Sequence, residues 1–205
     1  TATGTDSSPI SIAWDGIGNK PIIRRIDAGS ITTTTTGGYG DAIIRLDGSD
    51  NVLLYGLHLI ALDQGIEYGI LTHKPDGTNG CQNITISNCK IEMTKGTSPY
   101  VTGIYIGNGT TSPSSATGVT VTSLDGKNKN VNIVFDTITN AFIGIYVRGS
   151  SATGYSDSLI TISGCGVYNY GGPLTATTYG SYFIYVQDPV VTHSEFISDN
   201  HSGTL

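Results

Sequence analysis

Asn51-Val-Leu-Leu-Tyr-Gly-Leu-His-Leu59 and Asn83-Ile-Thr-Ile-Ser-Asn-Cys-Lys-Ile91 are the stretches whose comparison decides the fold. The same frame returns in Val131-Asn-Ile-Val-Phe-Asp-Thr-Ile138, Ile160-Thr-Ile-Ser-Gly-Cys-Gly-Val167 and Val190-Val-Thr-His-Ser-Glu-Phe196. In each, one apolar residue is followed five positions later by another: Leu54/Leu59, Ile86/Ile91, Ile133/Ile138, Ile162/Val167 and Val191/Phe196. The first members lie 32, 47, 29 and 29 residues apart. The long interval holds a Thr-, Ser-, Gly- and Pro-rich stretch, read as a surface insertion at about 110–127. A recurring interval of this size is the mark of a solenoid, in which each unit forms one turn and stacking supplies the core.

A second frame interleaves with the first: Tyr68-Gly-Ile-Leu, Gly103-Ile-Tyr-Ile, Gly144-Ile-Tyr-Val and Phe183-Ile-Tyr-Val. Each unit thus carries at least two short strands of period-2 alternation, joined by Gly, Asn and Ser turns. Helical solenoids need apolar spacing near 3.6 residues, which is missing, and a β-sandwich does not repeat one motif at a fixed interval. Equivalent strands are therefore expected to stack in parallel, about 4.8 Å apart. About five turns are readable from Asn51 onward, and Ile10–Trp14, Pro21–Ile26 and Ala42–Leu46 supply one or two more. The fold class is all-β, a right-handed parallel β-helix of five to seven rungs. Residues 1–205 form one such domain, or a segment of a longer one.

Composition agrees and excludes several functions. Of 205 residues 13% are charged and 38% apolar, with 28 glycines. This is too apolar for disorder, and Thr, Ile, Val and Tyr favour strands. The net charge of −6, with Lys and Arg scattered, argues against nucleic acid. No apolar run reaches the roughly 20 residues that span a bilayer. Cys81, Cys89 and Cys165 form neither a zinc pattern nor a disulfide framework, and no cofactor is indicated. His58, His73, His193 and His201 share no column, so no metal site is expected. Few charges and abundant Thr, Ser, Asn and Gly point to an extracellular or cell-surface protein.

The units resemble the right-handed parallel β-helix repeats of the pectin-lyase-like superfamily. More narrowly, they resemble secreted surface proteins of Bacteroidetes-type bacteria. The phrases that carry this are Asp41-Ala-Ile-Ile-Arg-Leu-Asp-Gly48, Asn51-Val-Leu-Leu-Tyr-Gly-Leu57, Glu67-Tyr-Gly-Ile70, Gln82-Asn-Ile-Thr-Ile-Ser-Asn-Cys89 and Asn140-Ala-Phe-Ile-Gly-Ile-Tyr146. The resemblance spans roughly residues 20 to 200 and implies a fold more than an activity, since members include polysaccharide lyases, hydrolases, tailspikes and adhesins.

The second frame places Leu71, Tyr105, Tyr146 and Tyr185 in one outward row. Three successive tyrosines make a candidate carbohydrate platform, or a row that merely stabilises the sheet by stacking. A glycosidase needs paired carboxylates, and a lyase of this superfamily needs acidic Ca²⁺ ligands on neighbouring rungs. Asp136 aligns instead with Leu57, Cys89, Cys165 and Ser194. Asp47, Asp63, Asp125, Asp157 and Asp188 read as turn residues, and no catalytic residue is assigned. Cys89 and Cys165 read as small inward packing residues, and Trp14 is left open between capping the core and lying exposed.

Asp136-Thr137-Ile138 and Asp157-Ser158-Leu159 fit the Asp-Ser/Thr-apolar pattern that resembles Bacteroidetes O-glycosylation sites, which implies Thr137 and Ser158 as carriers. Asn83, Asn108 and Asn200 match the N-glycosylation pattern. Neither end shows a polar cap, so a fragment of a longer helix, or end-to-end stacking of like chains, is expected. The leading function is a non-enzymatic structural or adhesive β-helix, a stalk or filament that contacts glycans or like chains. A polysaccharide lyase or glycoside hydrolase is the alternative.

Overall fold

The computed structural model describes residues 4–5, 8–26, 41–95, 101–108, 118–172 and 177–198. Strands follow one another in threes, one per side of a coil. The first rung is β1 (Ile10–Ala13), β2 (Ile22–Arg25) and β3 (Ala42–Asp47). The second is β4 (Val52–Tyr55), β5 (His58–Ala61) and β6 (Tyr68–His73). The third is β7 (Gln82–Ser87), β8 (Lys90–Glu92) and β9 (Thr102–Ile106). The fourth is β10 (Lys129–Val134), β11 (Thr137–Thr139) and β12 (Ile143–Arg148), and the fifth β13 (Asp157–Ser163), β14 (Gly166–Tyr168) and β15 (Tyr179–Ile184). In the sixth, β16 (Val186–Gln187) and β17 (Val190–Thr192) continue the first side, and β18 (Glu195–Ile197) the second.

Equivalent strands pair in parallel into three sheets: β1-β4-β7-β10-β13 with β16 and β17, then β2-β5-β8-β11-β14-β18, then β3-β6-β9-β12-β15. This is a parallel β-helix of six rungs. The irregular N-terminal portion supplies one rung. Residues 118–128, before β10, contain no strand before Lys129, and the rest of the expected insertion lies outside the described residues.

The apolar pairs seen in sequence become continuous columns. Ile12, Leu54, Ile86, Ile133, Ile162 and Val191 are register mates in the first sheet. Ile23, Leu59, Ile91, Ile138, Val167 and Phe196 are mates in the second. In rungs two to five both columns are fully buried. Each such side chain contributes roughly 2 kcal/mol by leaving water.

The corners explain the five-residue spacing. Gly56, Asn88, Phe135, Gly164 and His193 all have φ between 50° and 67°. They lie between the first and second sheets and repeat at the intervals of the apolar pairs. Asn51, Asn83, Asn130, Leu159 and Asp188 form a second left-handed column, with φ from 47° to 56°. Asn tolerates this region better than other side chains, because its short amide bonds locally. Here the amides also bond one another along the axis: Asn83 Nδ2 donates to Asn51 Oδ1 (3.0 Å) and Asn130 Nδ2 to Asn83 Oδ1 (2.8 Å).

The third sheet is set by glycine. A Cβ on Gly69 would lie 2.5 Å from the Gly103 carbonyl oxygen, and one on Gly103 2.7 Å from that of Gly144. On Gly144 it would meet Gly180 in the same way. From the second rung to the fifth there is no room for a side chain at this column, whereas the first rung carries Ile43 there. We predict that Gly103→Ala destabilises the protein by about 2 kcal/mol, the range for overpacking. Denaturant unfolding with an unchanged midpoint would contradict the close approach.

Candidate functional site

The glycine column fixes where the tyrosines fall. Tyr105 pairs with Tyr146 and Tyr146 with Tyr182, so Tyr185 is not their mate. The rings form one stack, Tyr68–Tyr105–Tyr146–Tyr182–Tyr179, with centroids 4.2 to 5.3 Å apart. Tyr105 and Tyr146 are buried, with 0% and 3% of their surface exposed. The expectation of three exposed tyrosines in one row is therefore corrected on two points. The motif Phe183-Ile-Tyr-Val copies Gly144-Ile-Tyr-Val locally, but only Gly180 can enter the glycine column. That places Tyr182 in the stack, three residues from Tyr185. Gly180 was the signal in the sequence that marks the register. The faces of Tyr105 and Tyr146 are occupied by neighbouring rings, which leaves no flat platform there.

Tyr185 stands at a left-handed corner (φ 54°) and is half exposed. It borders a cleft of about 290 Å³, lined also by Asn108, Val119, Arg148, Ser150 and Ala152. Behind Asn108 lies a buried polar cluster. Lys74 Nζ donates to Asp157 Oδ1 (2.6 Å) and Asn108 Oδ1 (3.0 Å). Asn128 donates to both oxygens of Asp157, through its backbone N–H (3.0 Å) and Nδ2 (2.8 Å). Lys74, Asp157 and Asn128 are all fully buried. Burial pushes the Lys74 ammonium down and the Asp157 carboxyl up, against their mutual attraction. Asp157 was expected in a turn, because Ser and Gly surround it in sequence. It opens β13 instead, in the column of Asn128 and Cys81, at the corner facing the third sheet.

The other carboxylates behave mostly as turn and pairing groups. Asp41 pairs with Arg25, and Asp47 with Arg45 (2.7 Å) and His73 (3.0 Å). Asp50 accepts from the Gln82 amide, and Asp63 and Asp76 close their own turns. Among the described residues no three His, Cys, Asp or Glu gather as metal ligands. His58 sits 3.2 Å from Glu92, in a different column from His73.

Cys89, Asp136, Cys165 and Ser194 do share one corner column. Asp136 Oδ1 accepts from the Cys89 amide (2.7 Å), and Ser194 Oγ accepts from that of Cys165 (3.1 Å). Burial pushes both thiols, and that of Cys81, up to about 11, so they are protonated packing groups at neutral pH. Thr137 and Ser158 are partly exposed at the starts of their strands. The acid of each glycosylation pattern, Asp136 or Asp157, is buried and engaged in hydrogen bonds. Asn83 serves the amide ladder, Asn108 is buried, and Asn200 lies outside the described residues. Trp14 packs over Gly56, half-buried, and donates Nε1–H to the Ile17 carbonyl (3.0 Å).

No family model matches this chain, and no curated protein matches it. Among solved structures it is similar to the surface protein and adhesin PfbA of Streptococcus pneumoniae, at 13% identity and a TM-score of 0.32. The match covers 82% of this chain and 63% of that one, so the chain spans less than two thirds of its length.

Asp136 gives this site a pH signature. Burial raises its carboxyl to about 7, and Oδ2 has no hydrogen-bond partner. A carboxyl raised on folding favours the native state while protonated, and that contribution is lost as pH climbs towards 7. Asp136→Asn keeps an acceptor for Cys89 and cannot ionise. We expect it to flatten the fall in stability between pH 4 and 8 seen in the wild type. At pH 8 it should gain up to roughly 4 kcal/mol. Parallel pH profiles in urea would contradict the assignment.

Proposed function

We propose that this chain is a non-enzymatic structural and adhesive β-helix of an extracellular bacterial surface protein, built to stack end to end. One observation carries the reading. The first-sheet column is fully buried at Leu54, Ile86, Ile133 and Ile162, yet 44% exposed at Ile12 and 42% at Val191. The first and sixth rungs thus present apolar residues and strand edges that a further rung, of the same chain or of a like chain, would cover. Ile12 and Val191 are members of one column, so one end of a copy matches the other end of the next. Between like chains, such a head-to-tail contact would not close on itself and would grow into a filament.

For polysaccharide, the three tyrosines reduce to Tyr185, the exposed ring beside Arg148 at the cleft, where an aromatic face and polar tips can meet a sugar. Thr137 and Ser158 are the proposed carriers of attached sugar. The low charge and the Thr-, Ser- and Asn-rich surface support an extracellular setting, and the repeat phrases support a source of the Bacteroidetes type. No helix among the described residues is long and apolar enough to cross a membrane.

Electron microscopy and sedimentation over a concentration series test the reading. Filaments or concentration-dependent oligomers are expected, and Val191→Lys should abolish them while leaving unfolding cooperative. A monomer at all concentrations would overturn the stacking. Release of unsaturated fragments from an acidic polysaccharide with Ca²⁺ would favour a lyase instead.

A further inference from the structure

We propose that Lys74 and Asn108 become joined by an isopeptide bond, with Asp157 as the proton acceptor beside them. The two residues are register neighbours, each following its strand of the third sheet, since His73 pairs with the position of Gly107. Lys74 Nζ lies 3.0 Å from Asn108 Oδ1, which brings the amine next to the amide carbon. The same nitrogen lies 2.6 Å from Asp157 Oδ1. All three side chains are removed from water, at 0%, 5% and 0% exposure for Lys74, Asn108 and Asp157.

Each part of that geometry has a chemical consequence. An ammonium is not a nucleophile. Burial lowers the affinity of Lys74 for its proton and raises that of Asp157, so passing the proton across the 2.6 Å contact costs less here than it would in water. Packing holds the amine and the amide in contact, which turns an intermolecular reaction that is negligible in water into an intramolecular one. Exclusion of water removes the competing hydrolysis. Among the described residues, Asn108 Nδ2 donates one long bond, to the Val119 carbonyl (3.3 Å), beside the cleft at Tyr185, which gives the departing group a way out.

The step balances. Lys74 passes one proton to Asp157, and its lone pair forms the Nζ–Cγ bond to Asn108. The Cγ–Nδ2 bond then breaks. Of the three ammonium protons, one stays on the new amide nitrogen and one completes the departing ammonia. The third remains on Asp157. No oxidant, metal or cofactor takes part. The product ties the second rung covalently to the third, at the same corner where Asp157 of the fifth rung closes the cluster. Two other contacts of this kind, Lys20 with Asn88 Oδ1 (3.0 Å) and Lys95 with Asn169 Oδ1 (2.7 Å), involve half-buried lysines that keep access to water.

Intact-mass measurement of the denatured wild-type protein tests this without any variant. After prolonged incubation the mass should fall short of the sequence mass by one ammonia, about 17 Da. Peptide mapping should then find a branched peptide joining Lys74 to Asn108. Lys74→Arg keeps the buried cation and should restore the full mass, and Asp157→Asn should slow or abolish the loss. A wild-type mass equal to the sequence mass would overturn the proposal. So would an ammonia loss confined to a linear peptide, because Asn108 precedes Gly109 and could cyclise on its own backbone. A branched peptide formed at the wild-type rate in Asp157→Asn would remove Asp157 from the step. None of these outcomes depends on whether the protein forms filaments.

Discussion

Every rung of this protein is held by in-register parallel pairing with the rung before and after it. That constraint makes the same position, one turn away, the nearest neighbour of each side chain. Residues are therefore selected for stacking on their own kind: Ile on Ile in the core columns, Asn on Asn at one corner, Tyr on Tyr in the third sheet. From the second rung to the sixth, the chain meets the constraint with a left-handed residue at each end of the first sheet, five apart. They turn the backbone while keeping the flanking apolar residues pointed inward. At Asn51, Asn83 and Asn130 the turn amides continue the ladder. Leu159 and Phe135 occupy the same conformation with no such bond, and both are solvent-exposed.

The same constraint governs the polar interior. A solenoid core has few places for polar groups, because each must find partners on adjacent rungs or remain unsatisfied. Asp157 meets the demand fully, with Lys74 and two donors from Asn128. Asp136 meets it by half, with one oxygen on the Cys89 amide and the other unpartnered. The difference sets their chemistry: the first forms a pair with a lysine poised against an amide, the second is a carboxyl whose ionisation opposes folding. Each directly precedes a Thr or Ser in sequence, which gave them the appearance of surface motifs.

The tyrosine stack shows how a local resemblance loses to a tertiary one. Phe183-Ile-Tyr-Val matches the preceding frame almost residue for residue. The glycine column overrides it: Gly180 follows Gly144 there, where a Cβ would come within 2.6 Å of the Phe196 side chain. Tyr182 consequently joins the stack and Tyr185 is left at the corner, free to face solvent. The resulting aromatic column is buried at Tyr105 and half-buried at Tyr182, so its main contribution is to the wall of the coil.

The parallel coil, the columns of the first two sheets, the shared place of Cys89, Asp136, Cys165 and Ser194, and the inward role of the cysteines were legible in the sequence. They repeat at a fixed interval, and repetition is visible wherever neighbours in space are also equivalents in the repeat. The meeting of Lys74, Asn108, Asn128 and Asp157 was not legible. Those residues come from four rungs and from two columns at one corner that neither repeating frame runs through, so only the closed coil brings them together. Which side chains end in water was likewise decided in three dimensions. Period-2 alternation tells one face of a strand from the other, and exposure depends on what packs over that face.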